Sequence, residues 1–67
     1  MRIETANYEN SHGRKPRGRG VWMFEMIEFT YNAKPTLFQA SGTYSEALRL
    51  AKKEARNLGT STITVCP

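Results

Sequence analysis

TYSEALRLAKKEARNLG, residues 43–59, decides the fold, because both ends of a helix are written into it. Thr43 is placed to cap the first turn, and Glu46, three residues on, reaches back to the amide of Thr43: a capping box. Gly59 supplies the left-handed residue that stops a helix. Between these ends two faces separate. Ala47, Leu48, Ala51, Ala55 and Leu58 follow the spacing of an apolar stripe. Arg49, Lys52, Lys53 and Arg56 recur at i, i+3, i+4 and i+7 and form a basic stripe. One side belongs in a core; the other meets solvent or negative charge.

Upstream lies VWMFEMIEFTY, Val21 to Tyr31, a strand by its β-branched and aromatic content. Trp22, Phe24 and Met26 share one parity with Glu25 opposite, whereas Ile27, Phe29 and Tyr31 share the other with Glu28 opposite. A β-bulge near Met26–Ile27 places all six apolar residues on one side; a central strand covered on both faces is the alternative. Asn32-Ala33-Lys34-Pro35 is a turn signal, Thr36 to Ser41 a second strand, and Gly42 breaks it before the cap. Downstream of Gly59, residues 61–66 alternate, with Ile63 and Val65 inward and Thr62, Thr64 and Cys66 outward. The pattern predicts an α+β domain: strand, strand, helix, strand, in a mostly antiparallel three-stranded sheet of order 2-1-3 with the helix on one face. A hairpin followed by a right-handed crossover puts the most apolar strand in the centre.

The first twenty residues differ from this domain of residues 21–67. They are polar, contain Gly13, Pro16, Gly18 and Gly20, and carry five cations (Arg2, Arg14, Lys15, Arg17, Arg19) against Glu4 and Glu9. So little apolar surface does not offset the entropy of ordering. The expectation is a basic, unstructured arm, with Ile3 and Tyr8 able to dock a short piece of it.

At 67 residues the chain is one small domain near the lower limit for folding without staples. Its net charge of +4 favours acidic partners. Cys66, the sole cysteine, permits no intramolecular disulfide, which fits a reducing cytosol. It reads as a strand end more than a reactive thiol. No apolar run approaches the ~20 residues that span a bilayer, and residues 1–20 lack the apolar stretch of a signal peptide.

The strongest chemical signal is RKPRGRG, residues 14–20, whose cations Arg14, Lys15, Arg17 and Arg19 suit phosphate contacts. The plainer reading is a solvated, solubilising tail. The helix stripe Arg49, Lys52, Lys53 and Arg56 likewise reads as a solvated face or as a second phosphate-contacting surface. Trp22 and Tyr31 read either as core or as stacking platforms. With one histidine, His12, and one cysteine there is no zinc ligand set. The Gly-Arg-Gly of 18–20 precedes a strand and lacks the ending of a phosphate loop. No catalytic constellation is present, and no cofactor or small-molecule substrate is expected.

From Trp22 onward the chain resembles the small phage inhibitors of bacterial RNA polymerase typified by the phage T7 gene-two product. The resemblance rests on Trp22 opening the first strand, on Thr43-x-x-Glu46-Ala47-Leu48-x-Leu50-Ala51 opening the helix, on the interval to Gly59, and on Val65-x-Pro67 closing the last strand. It covers residues 22–67. It implies a non-enzymatic three-stranded sheet with one helix that binds a host complex. The family's helix is acidic, where this one is basic. Its last strand presents polymerase-contacting arginines where Thr64 and Cys66 stand here, so no contact residue carries over. The resulting expectation is a monomeric, phage-type inhibitor or modulator of a bacterial macromolecular machine, working in the host cytosol. The alternative is a nonspecific nucleic-acid-binding protein using the arm and the helix face. Partner-binding candidates are Arg14, Lys15, Arg17, Arg19, Tyr31, Arg49, Lys52, Lys53 and Arg56.

Overall fold

A computed structural model describes residues 1–27 and 34–67. The elements run β1 (Arg2–Glu4), α1 (Ala6–His12), β2 (Arg19–Ile27), β3 (Pro35–Thr43), α2 (Tyr44–Leu58) and β4 (Thr62–Val65). The strands form one mixed four-stranded sheet in the order β1-β4-β2-β3. β2 pairs antiparallel with both β3 and β4, and β1 pairs parallel with β4. The α+β class stands. The expected neighbours of the central aromatic strand flank it, but the count is four strands and two helices.

The addition comes from the segment expected to be an unstructured arm. β1 places Ile3 beside Ile63, and α1 buries Tyr8 against Trp22, with ring centroids 5.5 Å apart. Two apolar anchors at the right spacing dock a polar stretch that composition alone leaves unfolded.

α2 forms as its sequence dictates. Thr43 Oγ1 accepts the Glu46 N–H at 3.2 Å, and the Glu46 carboxylate accepts the Thr43 N–H at 3.2 Å and its hydroxyl at 2.8 Å. Gly59, at φ +79°, closes the helix by donating to the carbonyls of Ala55 and Arg56. Ala47, Ala51 and Ala55 are fully buried. Their small side chains bring the helix close to Trp22, Phe24 and Met26 of β2, Ala40 of β3 and Ile63 and Val65 of β4. Tyr44, at the first turn, packs edge-on to Trp22 at 5.1 Å, and the indole N–H donates to the Gly42 carbonyl at 3.3 Å.

Both helices pack against this one face. The opposite face carries the other parity of each strand: Val21, Met23, Glu25 and Ile27 of β2, Leu37 and Gln39 of β3, and Thr62 and Thr64 of β4. Ile63 and Val65 point inward as expected. The bulge is corrected: β2 and β3 keep an unbroken register from Arg19↔Thr43 to Ile27↔Pro35, so Ile27 lies on the open face, 53% exposed. Gly42 pairs with Gly20 inside β3 and does not break the strand. Glu28, Phe29, Tyr31 and the Asn32-Ala33 part of the turn lie outside the described residues. Among the described residues no helix is long and apolar enough to cross a membrane.

Candidate functional site

Residues 13–18 carry the chain from the end of α1 to the start of β2. Gly13 leaves the helix in the left-handed conformation, its N–H donating to the Glu9 carbonyl at 2.8 Å. Gly18, at φ +89°, makes the second bend, a conformation that L side chains rarely adopt. Its carbonyl accepts the Tyr44 N–H at 2.9 Å, which ties the linker to the first turn of α2. Arg19 then pairs with the cap residue Thr43.

This path brings Arg14, Arg17 and Arg19 to one open cleft of about 430 Å³. Tyr8 and His12 of α1, Gly20, Val21, Trp22 and Met23 of β2, and Cys66 and Pro67 beyond β4 complete its lining. Tyr8 and His12 stack with centroids 4.1 Å apart. Trp22 and Tyr8 are nearly buried, at 6% and 7% exposure, so neither offers a free face for stacking a base. No carboxylate side chain lines the cleft. Among the described residues the one ion pair joins Arg2 to Glu4 at 2.6 Å, so the three cleft arginines have no carboxylate partner there.

The other candidates divide. Lys15 is exposed on the same linker but does not line the cleft. Arg49, Lys53 and Arg56 are exposed on the outer side of α2, with Lys52 half-buried; none of the four reaches the cleft. The stripe runs about 10 Å from Arg49 to Arg56. The two basic groups meet at Glu46. The hydrogen bonds from Thr43 chiefly hold this carboxyl below its ordinary range, and the charges of Arg19 and Arg49 add to the effect. Tyr31 lies outside the described residues.

Sequence reasoning did not assign His12, Tyr8, Cys66 or Pro67 to this site. The signal available was the parity of β4, which carries Cys66 past Val65 toward the start of β2. That His12 and Cys66 line one cleft raises the question of a nucleophile and base. They share no hydrogen bond among the described contacts. Burial, with the Glu25 carboxylate adding, pushes the Cys66 thiol up, the opposite of what an activated thiolate requires. A second depression, of about 330 Å³, lies on the open face between Glu25, Ile27 and the hydroxyls of residues 60–64. Among the described residues no group of three His, Cys, Asp or Glu side chains is arranged to hold a metal ion. Compared with family models, curated proteins and solved structures, the chain matches none.

Proposed function

We propose that this chain is a small non-enzymatic inhibitor or modulator that binds a bacterial nucleic-acid-processing complex, with RNA polymerase the first target to test. In this reading it acts as a monomer in the host cytosol and presents the cleft to an acidic surface of the complex. The observation that carries the reading is the convergence of Arg14, Arg17 and Arg19 on a cleft lined by no carboxylate side chain. Such a cleft attracts negative charge. The resemblance of residues 22–67 to phage polymerase inhibitors supplies the class of target. The test is capture from bacterial lysate on the immobilised chain, before and after nuclease, alongside the same chain carrying Arg14→Glu, Arg17→Glu and Arg19→Glu. The reading expects a defined complex, RNA polymerase or another, that survives nuclease and is lost with the triple variant. Retention by the triple variant overturns it.

A second reading, direct and nonspecific nucleic-acid binding, is favoured by the exposed stripe of Arg49, Lys53 and Arg56 beside the cleft. It works through phosphates and not through base stacking, since Trp22 is core. Its mark is a steep loss of affinity with salt, each lost phosphate contact lowering the log–log slope by about 1. Gel-shift titration of random duplex DNA, single-stranded DNA and RNA at two salt concentrations decides it. Absence of any shift at low salt removes this reading.

A further inference from the structure

The strand that lines the cleft, β2, is paired on both sides over only part of its length. β2 is paired with β3 along its whole length, Arg19–Ile27, but with β4 only over Phe24–Met26. The last bond across to β4 runs from the Cys66 N–H to the Met23 carbonyl, at 2.9 Å. Residues 19–22 therefore have a strand on one side alone, an edge about 13 Å long.

Which backbone groups this leaves free follows from alternation. Gly18 accepts from Tyr44 on the β3 side, and Met23 accepts from Cys66 on the β4 side. Successive residues of a strand turn their N–H and C=O to opposite sides. Arg19 and Val21 share the parity of Met23, so their N–H and C=O groups turn to the β4 side of β2. Arg19, Gly20 and Val21 are all exposed, and a Cβ built on Gly20 would meet nothing within 4 Å. Among the described residues none is hydrogen-bonded to these groups on the β4 side.

We infer that the cleft takes an extended acidic segment of a partner protein, which adds as a strand to β2 along Arg19–Val21, on the side that β4 pairs over Phe24–Met26. The inference rests on the binding role proposed above and specifies its chemistry. Strand addition draws affinity from main-chain hydrogen bonds and specificity from alternate side chains. Here the alternate side chains meet Arg14, Arg17 and Arg19 around the slot, which selects carboxylates, and the exposed Val21 beside it. Nucleic acid fits this edge less well. A phosphate chain offers acceptors only, so the carbonyls of Arg19 and Val21 would face anionic oxygens. A second copy of this chain is disfavoured as well, because edge-to-edge pairing would bring two arginine clusters together.

The test uses the full chain and fluorescence anisotropy with four labelled probes: a capped peptide of alternating Glu and Val, its fully N-methylated counterpart, a Lys/Val peptide, and an oligothymidylate of equal charge. The Glu/Val peptide should bind. N-methylation, which removes the donors and leaves the charge, should weaken it about tenfold or more, and the Lys/Val peptide should not bind. Val21→Pro, which removes a donor facing no strand, should weaken the peptide by a similar factor with the circular dichroism unchanged. Should that variant fail to fold, the N-methylated peptide on the unaltered chain decides alone. Equal binding of the parent and N-methylated peptides overturns strand addition, as does oligothymidylate binding where the peptide does not. If the triple arginine variant loses the host complex while N-methylation has no effect, strand addition falls and the cleft reading stands. If the triple variant keeps the complex, the cleft reading falls too.

Discussion

Phe24 has no exposed surface and sits in the middle of β2, opposite Phe38 on one side and Val65 on the other. Truncating such a ring costs about 3–5 kcal/mol, roughly what a domain of this size has in hand. Phe24→Ala should therefore abolish the cooperative melting transition in circular dichroism. Glu46 offers a finer test. Its carboxyl is held below the ordinary range chiefly by the Thr43 hydrogen bonds, so it favours the folded state more when charged. That contribution is present above the unfolded glutamate pKa, about 4.3, and is lost as pH falls through the lower folded value. Glu46→Gln should be less stable than the parent near neutrality, and the difference in urea midpoint should close in acid. A constant difference across pH would show that the charge of Glu46 plays no part.

At the level of the element, α2 was legible almost entirely, because cap, stop and apolar stripe are local signals that agree. Thr43→Ala should cost about 1 kcal/mol by removing the cap. Ala51→Leu should cost about 1–3 kcal/mol by forcing the helix off the sheet, whereas Arg56→Leu, on the exposed side, should change the urea midpoint little. A tolerated leucine at 51 would mean that the helix does not pack through its alanines. β2 was legible in kind but not in extent. Its two glutamates, three apart, suggested a bulge, yet the register runs unbroken to Ile27, which shares the open face with Glu25; Glu28 lies outside the described residues. Its start at Arg19 was hidden because Arg19 and Gly20 do not read as a strand. They become one only because Gly20 and Gly42 lie opposite each other on the β3 template.

For the whole molecule, what sequence reasoning missed is nonlocal. No window of residues 1–20 contains the reason for β1, which lies some sixty positions away in Ile63. The arm's cations and the helix stripe are separate in the sequence, but which of the arm's four reach the cleft depends on where Gly13 and Gly18 bend the chain. A spatial arrangement of that kind leaves no periodicity to read.

The three-residue pairing of β1 with β4 has a consequence for motion. β1 is the sheet's edge, joined through Arg2, Ile3 and Glu4 alone, and it continues into α1, whose Tyr8 and His12 wall the cleft. So short an edge, with one neighbour, opens at a low free energy while the central strands stay closed. Amide exchange at residues 2–4 should be faster than at residues 22–26 by the difference between local and global opening. Whatever occupies the cleft binds only while its wall is docked, so occupancy must slow exchange in β1, more than a dozen residues upstream of the strand it touches. The first strand thus reports on the site: its protection should rise with ligand concentration, and unchanged protection at saturation would show that the wall and the binding surface are independent.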